Sequence, residues 1–201
     1  MSWLTPTGAA AALAVGGATI WGTGWRGVVF LLAFLVSGSL LTKGGGRRTA
    51  AQVFANGGVA ALAALLGSWP GFAGAIAAAT SDTWATEIGA HSRTAPRLIT
   101  TWVSVTKGTN GGITLLGTAG GVLGAVVIAG LTYALSPRGT APGLTHPGHA
   151  AVVVAVAGVA GMLVDSVLGA TVQGPEDRWL DNNGVNFAMT LAAAGIAAWL
   201  A

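Results

Sequence analysis

Cysteine is absent from the 201-residue chain, which excludes disulfides and thiolate metal sites. Charge is nearly as scarce. Asp, Glu, Lys and Arg make up 7% of residues, against about 25% in soluble domains, and that shortage excludes an ordinary soluble domain. The chain also lacks a basic run of the nucleic-acid-binding kind, a heptad repeat and a low-complexity tail, so nucleic acid is not an expected partner. What it has is 53% hydrophobic residues and 33 glycines. Small residues let helix backbones approach closely in a membrane. The expected fold is therefore all-α: one polytopic integral membrane domain over residues 1–201, a bundle of about seven transmembrane helices.

Hydropathy places the spans at about 7–21, 25–41, 51–67, 72–90, 111–135, 149–172 and 184–200. The first is short and alanine-rich. It lacks the charged flank of a signal peptide, and a second apolar span follows it at once. Seven spans define two sets of loops. One set holds Lys43, Arg47, Arg48, Arg93, Arg97, Lys107 and Arg178, and the other only Arg26 and Arg138. Positive charge marks the cytoplasmic side. The expectation is a multi-pass protein of the cell membrane with its N-terminus in the cytoplasm.

The polar residues of the spans keep to the same side. Gln52 and Asn56 open the third span, and Asp82 and Glu87 close the fourth. Asn110 opens the fifth, Asp165 and Gln173 close the sixth, and Asn183 and Asn186 open the seventh. Polar residues with a purely structural role would have no reason to gather at one end, so a single cytoplasm-facing site is the economical account.

The centre of that pattern is Thr80-Ser-Asp-Thr-Trp-Ala-Thr-Glu-Ile-Gly89, where two carboxylates end an otherwise apolar run. A carboxylate left unpaired in hydrocarbon costs several kcal/mol, so such acids face a cation, a protein interior or a water-filled cavity. On an ideal helix Asp82 and Glu87 stand roughly 140° apart and would flank a groove. The plainer account is a polar helix end at the water interface. Asp165 is deep enough in its span to need a compensating cation, either a metal or one of the arginines. The acids Asp82, Glu87, Asp165 and Asp181 are hard oxygen donors of the kind magnesium takes, its shell completed by water and phosphate. Thr106-Lys-Gly-Thr-Asn-Gly-Gly-Ile-Thr114 joins a cation, hydroxyls and glycines just before a span, where exposed N–H groups favour an anion. It is not a Walker A loop, and as a lone motif it could equally be a glycine-rich turn. Lys43-Gly-Gly-Gly-Arg-Arg48 offers a second set of phosphate ligands, or only an anchor on the positive side. No Ser/His/Asp arrangement or cofactor fingerprint appears. The eight tryptophans fall mostly near span ends and read as interfacial anchors.

Taken together, Lys43–Gly58, Ser81–Gly89, Pro96–Thr101, Lys107–Gly112, Asp165-Ser166 and Asn182–Asn186 resemble the integral-membrane family that includes plant phytyl-phosphate kinase (domain of unknown function 92), with the motifs in that family's order. The family is in turn distantly similar to CTP-dependent membrane enzymes such as dolichol kinases and CDP-diacylglycerol synthases. The resemblance implies transfer of a phosphate from a nucleoside triphosphate, CTP above all, to an isoprenyl monophosphate such as phytyl or geranylgeranyl phosphate. Phosphoryl transfer asks for metal ions, cations on the phosphates and in-line positioning. The expected roles are Mg2+ on Asp82, Glu87 and Asp165, and phosphates on Arg47, Arg48, Arg97 and Lys107. Asn56, Thr109, Asn110 and Asn183 would orient nucleotide or acceptor. Two other readings stand beside this one. A cytidylyltransferase would use the same site on the α-phosphorus of CTP to make a CDP-lipid. A small ion or anion transporter would place polar residues on both leaflet sides, against the one-sided pattern here. Membrane lipids surround the chain on any reading. Small-residue faces such as Gly120–Gly124 can pack spans within one subunit or in a homo-oligomer.

Overall fold

The computed structural model describes residues 3–42, 46–137, 146–173 and 180–201. The sequence-assigned cations Lys43, Arg138 and Arg178 lie outside the described residues. Seven α-helices run through the rest: α1 (Pro6–Thr23), α2 (Trp25–Leu41), α3 (Ala50–Leu65), α4 (Trp69–Gly89), α5 (Leu115–Leu135), α6 (Pro147–Thr171) and α7 (Asn182–Leu200). Polar side chains set several of the starts. Thr5, Thr49, Ser68, Thr114 and Asp181 each accept a backbone N–H of the first turn, and Thr49 with Gln52 forms a reciprocal capping box.

Among the described residues α5, α6 and α7 are long and apolar enough to cross a membrane, while α2 and α3 are apolar but shorter. At 16 residues α3 spans about 24 Å, less than the ~30 Å hydrocarbon core, so its ends meet the interfacial zone. Large apolar side chains such as Leu13, Trp21, Leu115 and Trp199 are more than three-quarters exposed. An apolar exterior of this kind suits lipid and not water. The protein is an all-α membrane helical bundle.

Helix α4 is the axis. It packs against α2, α3, α5, α6 and α7, while α1 lies outside against α2 and α3. Residues Phe72–Ala79 of α4 are all buried, and apart from Phe72 and Ile76 they are alanine or glycine. Small residues on the neighbours complete the fit. A Cβ added at Gly161 of α6 would come within 2.5 Å of Ala78 Cβ, and one at Gly158 within 2.8 Å of Ala77 Cβ. An aromatic cluster of Phe30, Trp69 and Phe72 closes the far end, with ring centroids 5.4–5.6 Å apart.

The fifth span begins at Leu115 instead of the expected 111. Residues 111–114 are drawn into a small β-structure in which β1 (Arg97–Leu98) pairs antiparallel with β2 (Gly112–Ile113). This pairing folds the 92–114 excursion back onto the end of the bundle. Gly111, at φ +74°, lies so close to α6 that a Cβ would meet Ala170 N and Ser166 O at 2.6 Å. Only glycine serves both the conformation and the contact.

Gly161→Leu should therefore separate α6 from α4. Overpacking costs about 1–3 kcal/mol, and the expected outcome is a melting temperature several degrees lower in detergent. An unshifted melt would contradict the close packing described here.

Candidate functional site

At one end of the bundle the polar residues recur as i, i+4 pairs, which share a helix face. They are Gln52 and Asn56 on α3, Asp82 and Thr86 and then Thr83 and Glu87 on α4, and Asn182 and Asn186 on α7. All eight line a cavity of about 850 Å³, together with Ser39 and Thr42 from the end of α2, Arg47 and Arg48 from the following loop, and Trp3 from the N-terminal segment. A second cavity of about 320 Å³ lies among α4, α5, α6 and the 107–112 loop. Asp82, Thr86 and Asn182 line both cavities and form the seam between them. Asp165 and Ser166 face the smaller one.

Asp82 and Asp165 bring their carboxyl groups together across the α4–α6 interface. The sequence left open an arginine partner for Asp165. Among the described residues the group that meets it is instead another carboxylate. The Asn186 amide, oriented to suit its neighbours, donates to Asp165 Oδ1 at 3.1 Å and to the Asn182 carbonyl at 3.2 Å. The opposite orientation would leave it only a 3.5 Å contact to Asn56. Two neighbouring carboxyl groups offer hard oxygen donors, with the Asn186 N–H holding one of them and no cation of the protein's own among them. That donor set fits a divalent cation such as magnesium.

Glu87 stands apart from this pair. It accepts from Thr42 Oγ1 at 2.8 Å and acts electrostatically on Arg48. Among the described residues no three of His, Cys, Asp and Glu converge on one point. The three acids expected to share a metal thus divide into Asp82 with Asp165 and Glu87 on its own. Helical phase is the reason, because five residues carry Glu87 onto a different face from Asp82.

The cations of the cavity walls are docked on oxygens of the protein itself. Arg48 Nη1 donates to Ser39 Oγ at 2.6 Å and reaches the Leu35 carbonyl at 3.5 Å, with its guanidinium 5.4 Å from the Phe34 ring centroid. Burial lowers the Arg48 pKa from its usual value, and the charge of Glu87 partly opposes that. Arg47 donates through Nε and Nη2 to the Leu4 carbonyl at 3.1 and 3.0 Å. Lys107 Nζ reaches the Ser92 carbonyl at 2.6 Å and that of Ala90 at 3.3 Å, binding the glycine loop to the end of α4.

The remaining expected residues divide. Asn56 lines the larger cavity, with its Nδ2 on the Gln52 carbonyl at 2.9 Å. Thr109 and Asn110 line the smaller one. Arg97 and Asn183 line neither. Arg97 Nη1 donates to the Trp102 carbonyl at 2.8 Å, and Asn183 Nδ2 to Asp181 Oδ2 at 3.2 Å. Asp181 itself is the α7 cap, accepting from Gly184 N at 2.8 Å. Sequence reasoning missed Trp3, Thr42, Thr86, Asn182 and Ser166 as site residues. The i, i+4 spacing of Asn182 and Asn186, counted from the Asp181 cap, would have singled out Asn182 over Asn183. Nothing local marks Trp3. It arrives because the Trp3 carbonyl accepts from Arg48 N at 3.0 Å and Thr5 N donates to the Arg48 carbonyl at 3.1 Å.

Arg48→Met should leave Glu87 without its compensating charge. The expected cost is about 1–3 kcal/mol, read as a lower melting temperature. Adding Glu87→Gln should restore part of the loss, because the two changes share one interaction. Strict additivity of the two melts would refute the coupling.

The chain has relatives among known sequences. A family model described as integral membrane protein DUF92 matches residues 1–194. An uncharacterized membrane protein of Methanocaldococcus jannaschii is 35% identical, over 84% of this chain and 73% of the relative. Protein PGR of Arabidopsis thaliana is 33% identical, over 84% of this chain and 79% of its own length. Protein VTE6, chloroplastic, of the same plant is 29% identical, over 91% of this chain and 61% of its own length. No solved structure matches the chain. The family match takes in both cavities, the carboxylate pair and most of the last helix, and on that extent the chain belongs to the integral membrane protein DUF92 family.

Proposed function

We propose that this protein transfers the γ-phosphate of CTP, or of another nucleoside triphosphate, to an isoprenyl monophosphate such as phytyl or geranylgeranyl phosphate, giving the diphosphate. The observation that carries the proposal is the seam. Two cavities with cationic side chains on their walls meet at Asp82, beside Asp165. A reaction that joins two phosphorylated molecules needs two such compartments with a shared boundary. The family resemblance carried by the Ser81–Gly89 and Lys107–Gly112 motifs supplies the substrate class.

The transfer is simple in atoms. A non-bridging oxygen of the prenyl phosphate attacks the γ-phosphorus, the bond from that phosphorus to the β–γ bridging oxygen breaks, and CDP leaves. The acceptor is already anionic, so the protein need not supply a strong base. Asp82 and Asp165, with Asn186 behind them, are the residues that would hold magnesium. Bound there, the cation would neutralise phosphate charge during transfer. Arg47, Arg48 and Lys107 would hold phosphate oxygens at the cavity walls. Glu87 acts as a positioning residue through Thr42 and Arg48. We place the site on the cytoplasmic face of a cell membrane. In support, five of the six described cations, all but Arg26, lie at the site's end of the bundle.

The experiment uses purified protein in detergent with magnesium, geranylgeranyl monophosphate and CTP labelled at the γ position. Label should appear in the prenyl diphosphate. Release of labelled pyrophosphate, with cytidine entering lipid, would replace the kinase by a cytidylyltransferase. Asp82→Asn and Asp165→Asn should each cut transfer by roughly a hundredfold or more, in line with loss of one group that stabilises transition-state charge. Full activity in a folded Asp82→Asn protein would remove the metal assignment. Chelation of divalent ions should abolish turnover, and added magnesium should restore it.

A further inference from the structure

The two cavities differ in ways that bear on what each can hold. The larger, at about 850 Å³, is lined by polar residues apart from Trp3 and Gly46, with amides, hydroxyls, carboxylates and two guanidinium groups set among their apolar stems. Its one large ring is Trp3, 39% exposed and brought to the cavity by backbone bonds to Arg48. A prenyl chain would leave most of these polar groups without partners. A nucleoside triphosphate does, with an aromatic face for the base, amide donors and acceptors for its edge, and arginines for the phosphates. The volume falls in the range of pockets that enclose a whole small molecule.

The smaller cavity, at about 320 Å³, is mixed. One part of its wall is the glycine loop with Lys107, Thr109 and Asn110; the rest mixes the Asp82–Asp165 pair and hydroxyls with apolar Ala85, Ile113, Met162 and Leu163. Thr114, another lining residue, caps α5, so the N-terminal end of that helix opens toward the cavity. Leu163 is 38% exposed, and Val167, one turn further along α6, is 43% exposed on the lipid-suited surface. Lys107 and the carboxylate pair line the same cavity, and Leu163 with Val167 continues an apolar strip along α6 toward the lipid-suited surface.

We infer that the larger cavity is the nucleotide compartment, with Trp3 as the stacking surface for the base. The smaller is the acceptor compartment, where the 107–112 loop grips a single lipid phosphate. The assignment rests on the proposed kinase reading and adds to it an address for each substrate. Asp82, Thr86 and Asn182, common to both linings, then stand where the γ-phosphate meets the acceptor.

Binding tests the assignment without relying on turnover. Equilibrium binding of labelled CTP and of labelled geranylgeranyl monophosphate is measured separately, with magnesium, on the intact chain in detergent. Trp3→Ala and Gln52→Ala should weaken CTP at least fivefold and leave the prenyl phosphate within twofold. Thr109→Ala and Lys107→Gln should do the reverse. Gel filtration and thermal melting identify any variant that fails to fold. On the unaltered protein, inorganic pyrophosphate should displace CTP and not the prenyl phosphate, and both substrates should bind at once. Mutual exclusion of the two, or an inverted or unsorted variant pattern, overturns the assignment while the kinase reading stands. An unaltered protein that binds neither substrate overturns both.

Discussion

An acid carried at the end of an apolar helix has to be met by something, and the character of this molecule follows from what meets Asp82. It is not an arginine. It is Asp165, from a helix on the opposite side of a groove, with Asn186 steadying the second acid. An ion pair would have closed the site, because a carboxylate and a guanidinium satisfy one another. Two carboxyls meet without mutual repulsion only with a shared proton or another positive charge beside them, and they sit where two cavities give access to them. The same pair would be a costly choice for a bundle that only had to fold.

Close packing is what makes that meeting possible. The interior of α4 is built from alanine and glycine, and the helices around it answer with glycines at 117, 121, 158 and 161. Ser81 Oγ donates to the Gly121 carbonyl at 2.8 Å, a distance that bulky side chains between the helices would not allow. With the backbones this near, α4 can be shared by five neighbours, and a side chain at its end can be reached from two directions. The glycine content that first marks the chain as a membrane protein thus also gives Asp82 its place on both cavities.

Much of this was legible in the sequence. Apolar runs gave the seven helices, and the one-sided polar residues gave the end at which a site forms. Asp82, Glu87, Asp165, Asn56, Arg47, Arg48, Lys107, Thr109 and Asn110 all line one cavity or the other. What was not legible depends on which helix faces meet and on distant chain. Glu87 was expected to share a metal with Asp82 and Asp165 and instead meets Thr42, while Asn183 is turned away from both cavities. Arg97 was expected on a phosphate, but β1–β2 pairing turns the 92–114 excursion and sends its guanidinium to the Trp102 carbonyl. Trp3 looked like an interfacial anchor and reaches the larger cavity only through backbone bonds to Arg48, 45 positions away. Periodicity reports which face of one helix is polar. It does not report which faces of different helices meet.

The docking of the cations on protein oxygens bears on how the site would work. Lys107 donates to the carbonyls of Ala90 and Ser92, just beyond the end of α4. Arg48 is held against the last turns of α2 by the Ser39 hydroxyl, with the Leu35 carbonyl at 3.5 Å. Each side chain is thereby fixed before any anion arrives, so the conformational entropy of a long flexible cation has already been lost in folding. Neither uses up its donors, since an ammonium has three and a guanidinium five. A phosphate entering either cavity would meet positive charge already held in position, as in a site that depends on electrostatic preorganisation. The residues that tie the loops to the ends of the helices are therefore also the ones that would meet an anion. That economy suits a chain with only nine lysines and arginines in all.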